Sequence, residues 1–182
     1  MRIACLAWGS LIWKPGALKL ASAWMAGGPE LPIEFLRDSD DSDELAIVIS
    51  EGVPLMPTFY ALLDTDDLAA ARAMLAEREK IDADHPQWVG SLPAIDGGAT
   101  DARVAAWLEQ QNFDAVVWTA VPPKFAKEEG RVPTADEAVA FLAGLTGSTR
   151  DGAQEYVQRI PAVIDTPYRK RFERDLAWLP VS

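Results

Sequence analysis

Ile3-Ala4-Cys5-Leu6-Ala7, running into Trp8-Gly9-Ser10-Leu11-Ile12-Trp13-Lys14-Pro15-Gly16, is the stretch on which the reading of this chain turns. Its first five residues are apolar without interruption, the pattern of a buried strand. The apolar pattern breaks at Gly9-Ser10 and again at Pro15-Gly16. A loop pinned between a buried strand and a Pro-Gly turn can aim backbone N–H groups outward. Glycine lets the main chain come close to a ligand, because no side chain intervenes. Such a loop can hold a carboxylate or a developing oxyanion through backbone donors. A tight strand–turn in which Gly9 serves only geometry fits the same residues.

Around this stretch lies a chain of 182 residues, a length that suits one domain, 1–182, with a substantial core. A formal net charge of −11 argues against a nucleic-acid or anionic-membrane surface, since both reward clustered Lys and Arg. The short basic cluster Arg169-Lys170-Arg171 reads as a solvated helix face. Cys5 is the single cysteine, so no intramolecular disulfide can form and a reducing cytoplasm fits. Within its apolar run it reads as a buried, inert thiol. No secretory signal or membrane span is evident, because Gly9 and Ser10 cut the first apolar run short.

Along the chain, residues 17–26 are apolar but could be helix or strand. Leu31 to Arg37 alternates apolar and polar residues, as a half-buried strand does, and Leu45 to Ile49 should pair with it. Between them, the acidic residues 38–43 read as a solvated hairpin tip; a calcium loop would need a central Gly and a closing Glu. Residues 58–63 are the next strand, and the short turns joining these three favour antiparallel pairing, while residues 113–121 give another buried strand. Thr100 is expected to cap a helix reaching about Gln111, with 122–133 an exposed loop. In the last third, Thr134 to Glu137 is a capping box, Ser148 or Thr149 opens a second helix, and Thr166-Pro167 opens a third. Tyr156, Tyr168 and Trp178 could line a pocket, although aromatic residues at helical spacing are more often core. The pattern is α+β.

The clearest helix runs from Leu68 to Lys80, rich in strong helix formers and capped by Asp64 or Thr65. At 100° per residue Leu68, Leu75 and Glu79 share a narrow face with Ala71 beside it, while Glu77 points nearly the opposite way. Glu79 thus continues the stripe facing the core, where an acid is not expected. Partial burial and the negative helix end should both raise its pKa, as a general base requires. Pairing with Arg78 or Lys80, or fraying into water, would be the structural alternative. His85 has no second His or Cys nearby, so it makes a poor metal ligand and reads as a surface residue.

Trp8-Gly9-Ser10-Leu11-Ile12-Trp13-Lys14-Pro15 resembles the Tyr-Gly-Ser-Leu-hydrophobic-Trp-x-Pro signature of the γ-glutamylcyclotransferase-like superfamily, especially its ChaC-type members. Trp8 stands where that signature has Tyr. Glu77-Arg78-Glu79-Lys80 is similar to the family's Arg-Glu-Lys segment, although Ile81-Asp82-Ala83 follows instead of the usual Gly and Tyr. The resemblance implies a small mixed, barrel-like sheet flanked by helices, with Glu79 catalytic and Trp8, Gly9, Ser10 and Leu11 binding a small γ-glutamyl substrate. It implies cyclisation of that group to 5-oxoproline without a metal or cofactor. A non-catalytic small-molecule-binding protein retaining the pocket is the alternative. A serine hydrolase built on Ser10 and His85 fits poorly, because Gly9-Ser10-Leu11 lacks the second Gly of a nucleophile elbow.

Overall fold

The structure, a computed structural model, describes residues 1–39 and 43–181. Its strands are β1 (Ile3–Ala7), β2 (Met25–Ala26), β3 (Leu31–Asp38), β4 (Leu45–Ile49), β5 (Leu55–Met56), β6 (Phe59–Leu62), β7 (Val89–Leu92), β8 (Ala115–Thr119), β9 (Lys124–Phe125) and β10 (Glu128–Glu129). Its helices are α1 (Leu68–Glu79), α2 (Ala102–Glu109), α3 (Ala135–Ala143), α4 (Gly147–Arg159) and α5 (Pro167–Leu176). The chain gathers into two compact units, Met1–Leu31 with Pro57–Val121, and Pro32–Met56 with everything from Pro122 onward. Each holds a mixed sheet and helices, so the α+β class expected from the sequence is the class observed. Among the described residues the strands form two open sheets of five.

In the first unit the strand order is β2-β6-β1-β8-β7. β1 lies at the centre and is buried at every residue, which is why its sequence does not alternate. It pairs antiparallel with β6 (Cys5 opposite Ala61) and parallel with β8 (Cys5 opposite Val117). α1 lays Leu68, Ala71 and Leu75 on the face formed by Ile3, Cys5, Ala7, Ala115 and Val117. Its cap is Asp67, whose Oδ1 accepts from the N–H groups of Ala69 (2.9 Å) and Ala70 (3.3 Å); the cap expected at Asp64 or Thr65 lies too early. Likewise α2 is capped by Asp101 and not Thr100. Residues 17–26 are mostly irregular, with a bridge at Leu20 and the short β2. A buried arginine, Arg72, donates to the carbonyls of Val89 (2.9 Å) and Pro86 (3.1 Å) and to the Ser91 hydroxyl (2.9 Å), tying α1 to β7.

The second unit is arranged on β3, which pairs antiparallel with β4 as expected and parallel with β9. The half-buried alternation expected of β3 is not what is seen: Leu31 to Leu36 are all buried, Glu34 included at 1% exposure. Phe35 meets Phe172 (5.3 Å) and Tyr156 (6.4 Å) edge-on, and Trp178 is 1% exposed, so the aromatic residues are core. Tyr168 sits at the margin, its hydroxyl donating to the Pro133 carbonyl. Part of the expected loop 122–133 is the β9–β10 hairpin, with Lys124 and Phe125 buried. The Thr134–Glu137 capping box and Pro167 at the first turn of α5 are present, while α4 begins after Thr146, ahead of Ser148 or Thr149. Residues 40–42 of the acidic tip lie outside the described residues.

Arg169 overturns the solvated reading of its basic cluster, being 0% exposed. Its guanidinium donates to the carbonyls of Ile160 (2.8 Å), Pro161 (2.8 Å) and Ile164 (3.1 Å) just past the end of α4, the Pro161 carbonyl also accepting from the Ile164 N–H (2.9 Å). No described helix is long and apolar enough to cross a membrane.

Candidate active site

Parallel pairing of β1 and β8 puts their carboxyl ends at the same end of the sheet. The Trp8–Gly16 loop leaves β1 there. Thr119 closes β8 level with Ala7 if the Cys5–Val117 register continues by two residues. The last turn of α1 arrives at the same place. The helix stops at Lys80, whose φ of 53° is left-handed and whose N–H caps the carbonyls of Ala76 and Glu77. Glu79 is therefore the final helical residue, while Glu77 faces solvent.

The loop itself is a 3-10 turn over Ser10–Ile12. The N–H of Ile12 donates to Gly9 (3.1 Å), while Trp13 (3.2 Å) and Lys14 (2.8 Å) both donate to Ser10. The N–H groups of Ser10 and Leu11 stand at the start of this turn, ahead of any acceptor within it. Gly9 and Ser10 are partly exposed, whereas Trp8 and Leu11 are each 5% exposed and belong to the core.

Arg78 joins the loop to Glu79. Its Nη2 donates to the Ser10 hydroxyl (2.9 Å), its Nε to the Lys14 carbonyl (2.9 Å), and its Nη1 lies 3.5 Å from Glu79 Oε2. The other Glu79 oxygen accepts from the Thr119 hydroxyl at 3.4 Å. Gly16 makes room for the arginine stem: a Cβ there would sit 3.2 Å from Arg78 Cδ, and its φ of 59° disfavours other residues. Burial pushes Glu79 above the ordinary carboxylate range, opposed by the Arg78 charge and the Thr119 hydroxyl. Its side chain keeps 23% exposure, so the acid is desolvated yet reachable. Cys5 beneath is fully buried, and burial and then the Glu79 charge raise its thiol.

The sequence-expected pair, loop and Glu79, thus meets through Arg78, whose pairing with Glu79 was the structural alternative and is present at 3.5 Å; its bonds to the loop were not expected. Thr119 was missed, its signal being a polar residue ending an apolar strand, and Gly16, read only as part of the turn that closes the loop, also makes room for the Arg78 stem. His85 stands apart, stacked on Trp88 at 4.0 Å, and the Ser10 hydroxyl is held by an arginine. An open depression of about 420 Å³ in this unit, against Leu92, Pro93, Leu108 and Phe113, includes none of the site residues. Among the described residues no group of three or more His, Cys, Asp or Glu is placed to hold a metal ion.

No protein-family model matches the chain, and no curated protein matches it. Among solved structures, it is similar to the crystal structure of a γ-glutamyl cyclotransferase specific to glutathione from yeast, at 16% identity and a TM-score of 0.44, over 100% of this chain and 89% of that one.

Proposed function

We propose that the chain is a γ-glutamylcyclotransferase-like enzyme, residues 1–182 forming one such domain that works in the cytoplasm without metal or cofactor. In this reading Glu79 is the general base, and Trp8, Gly9, Ser10 and Leu11 form the substrate loop. The α-ammonium of a γ-glutamyl group loses a proton to Glu79, and the freed amine attacks the γ-carbonyl carbon of its own chain. Charge collects on the carbonyl oxygen, where the N–H groups of Ser10 and Leu11 would stabilise it. Glu79 hands its proton to the leaving nitrogen as that bond breaks, then takes the second proton from the ring nitrogen and passes it to the released amine, so that neutral 5-oxoproline and an ammonium depart. The reaction is intramolecular, so the protein's task is orientation and proton transfer.

The observation that supports this best is the Ser10–Arg78–Glu79 chain of contacts, which joins a backbone-donor loop to a desolvated acid. The raised pKa of Glu79 suits a base, because it binds a proton more tightly than a solvated carboxylate would. A non-catalytic binding protein with the same loop is favoured by one feature: Trp8, where the resembled signature has Tyr, is buried in the core.

Purified protein should be incubated with a panel of γ-glutamyl compounds and assayed for 5-oxoproline. Glu79→Gln should lower turnover by roughly 100-fold or more, with ligand affinity changing much less. Its melting temperature should stay level or rise, since a neutral amide suits a partly buried helix C-terminus. Glu77→Gln, on the solvent side of the same helix, should behave as wild type. Equal activity in the two variants would remove Glu79 as the base, and binding without any 5-oxoproline would leave the binding protein.

A further inference from the structure

We propose that Arg78 is a positioning residue, its guanidinium fastening the Ser10–Lys14 turn onto the end of the helix that bears Glu79. The inference rests on the reading of Glu79 and the loop as one site. A guanidinium is a planar fork of fixed geometry, and here each of its nitrogens has a separate task. Nε and Nη2 take the Lys14 carbonyl and the Ser10 hydroxyl, both at 2.9 Å, which bracket the turn at its two ends. Nη1 faces Glu79 at 3.5 Å. The side chain is 14% exposed, with its bond to Ser10 part-buried and its bond to the Lys14 carbonyl at the surface. The stem runs beside Gly16, where an added Cβ would sit 3.2 Å from its Cδ.

The arrangement separates shape from charge. The fork holds the turn, and the charge opposes the effect of burial on Glu79, whose other near groups are the neutral Thr119 hydroxyl and Cys5 thiol. A lysine keeps the charge, but its three donors radiate from one nitrogen and cannot span the acceptors that Nε, Nη1 and Nη2 reach separately. A glutamine loses both.

Amide hydrogen exchange at Ile12, Trp13 and Lys14, and a carbon-detected titration of the Glu79 carboxyl, should be measured in wild type, Arg78→Lys and Arg78→Gln. Both variants should exchange those three amides roughly tenfold faster, the effect of losing a charge-assisted bond, with the β1 amides unchanged. Glu79 should titrate at higher pH in Arg78→Gln and return towards wild type in Arg78→Lys. Exchange at the three amides within about twofold of wild type in both variants would overturn the proposal. If Arg78→Gln fails to fold, Ser10→Ala removes a single partner of the fork and should accelerate the same amides severalfold; unchanged exchange there would overturn it equally. Neither measurement needs turnover. Faster exchange in a protein that makes no 5-oxoproline would therefore support Arg78 while refuting the enzyme, and normal exchange in an active protein would do the reverse.

Discussion

Each unit of this chain contains an acid lifted by burial above its ordinary pKa, and the two differ in what surrounds them. Glu34, on β3, is 1% exposed and fully engaged: it accepts from the Thr166 hydroxyl (2.5 Å) and from the N–H groups of Phe35 (2.9 Å) and Tyr168 (3.1 Å). Burial still carries it to about 7, against those three donors. Glu79 has a hydroxyl at 3.4 Å, an ion pair at 3.5 Å and an open flank. The arginines differ too: Arg169 is buried, its Nη1 and Nη2 on three backbone carbonyls and its Nε 3.4 Å from Glu173 on its own helix, while Arg78 ties a distant loop to the acid beside it. Burial alone therefore does not distinguish a structural acid from a chemical one. On the proposed role of Glu79, unused hydrogen-bonding capacity beside a reachable surface is what sets it apart from Glu34.

The sharpest way to break this comparison is Arg169→Met. It takes the guanidinium from the carbonyls of Ile160, Pro161 and Ile164, of which only Pro161 keeps another donor among the described residues, and should cost about 3 to 5 kcal/mol in urea unfolding. Arg78→Met should cost about 1 kcal/mol, because water can reach its partners. Comparable losses would erase the distinction between the two arginines.

Next in size is the pH dependence of stability. Glu34 holds its proton more tightly when folded, so its contribution is fully present below the unfolded pKa of about 4.5 and is lost as pH rises through about 7. Between pH 4.5 and 8 this one group should remove roughly 3 kcal/mol, and Glu34→Gln should flatten that slope. A wild-type slope that survives in Glu34→Gln would assign the proton elsewhere.

Activity should report the other acid. The acidic limb of kcat/KM should fall tenfold per pH unit below the raised pKa of Glu79 and should be unmoved by Glu34→Gln. A shift of that limb in Glu34→Gln would couple two acids that the comparison separates. The smallest effect belongs to Ser10→Ala, which should lower turnover only severalfold because Ser10 is a tether for Arg78. Complete loss of activity in a folded Ser10→Ala protein would restore the nucleophile reading.

Much of this was legible because it is local. β1, β4, β6 and β8 follow from short apolar runs, α1 from its residue types, and α5 from Thr166-Pro167. Glu79 was placed beside the core by the 100° rotation of α1 alone. What the sequence hid is long-range. Ser10 and Arg78 lie 68 residues apart, and Glu34 and Thr166 lie 132 apart, so no periodicity announces either bond. Arg169 was misread because a charged cluster is ordinarily solvated, and only the open carbonyls at the end of α4 make its burial favourable. The caps at Asp67 and Asp101 were missed by one to three positions, since several adjacent Asp and Thr residues are chemically able to cap.

Gly16 has a consequence for how this corner can vary. Because its missing side chain is filled by the Arg78 stem, substitutions at the two positions will not be additive. Alanine at 16 is hurt both by its left-handed backbone and by the crowding of Arg78 Cδ, and only the second cost vanishes when 78 is also trimmed to alanine. The double variant should thus be more stable than the two single losses together imply. Neighbouring sequences that abandon one of these residues would be expected to abandon both, so that positions 16 and 78, 62 apart in the chain, drift as a single heritable unit.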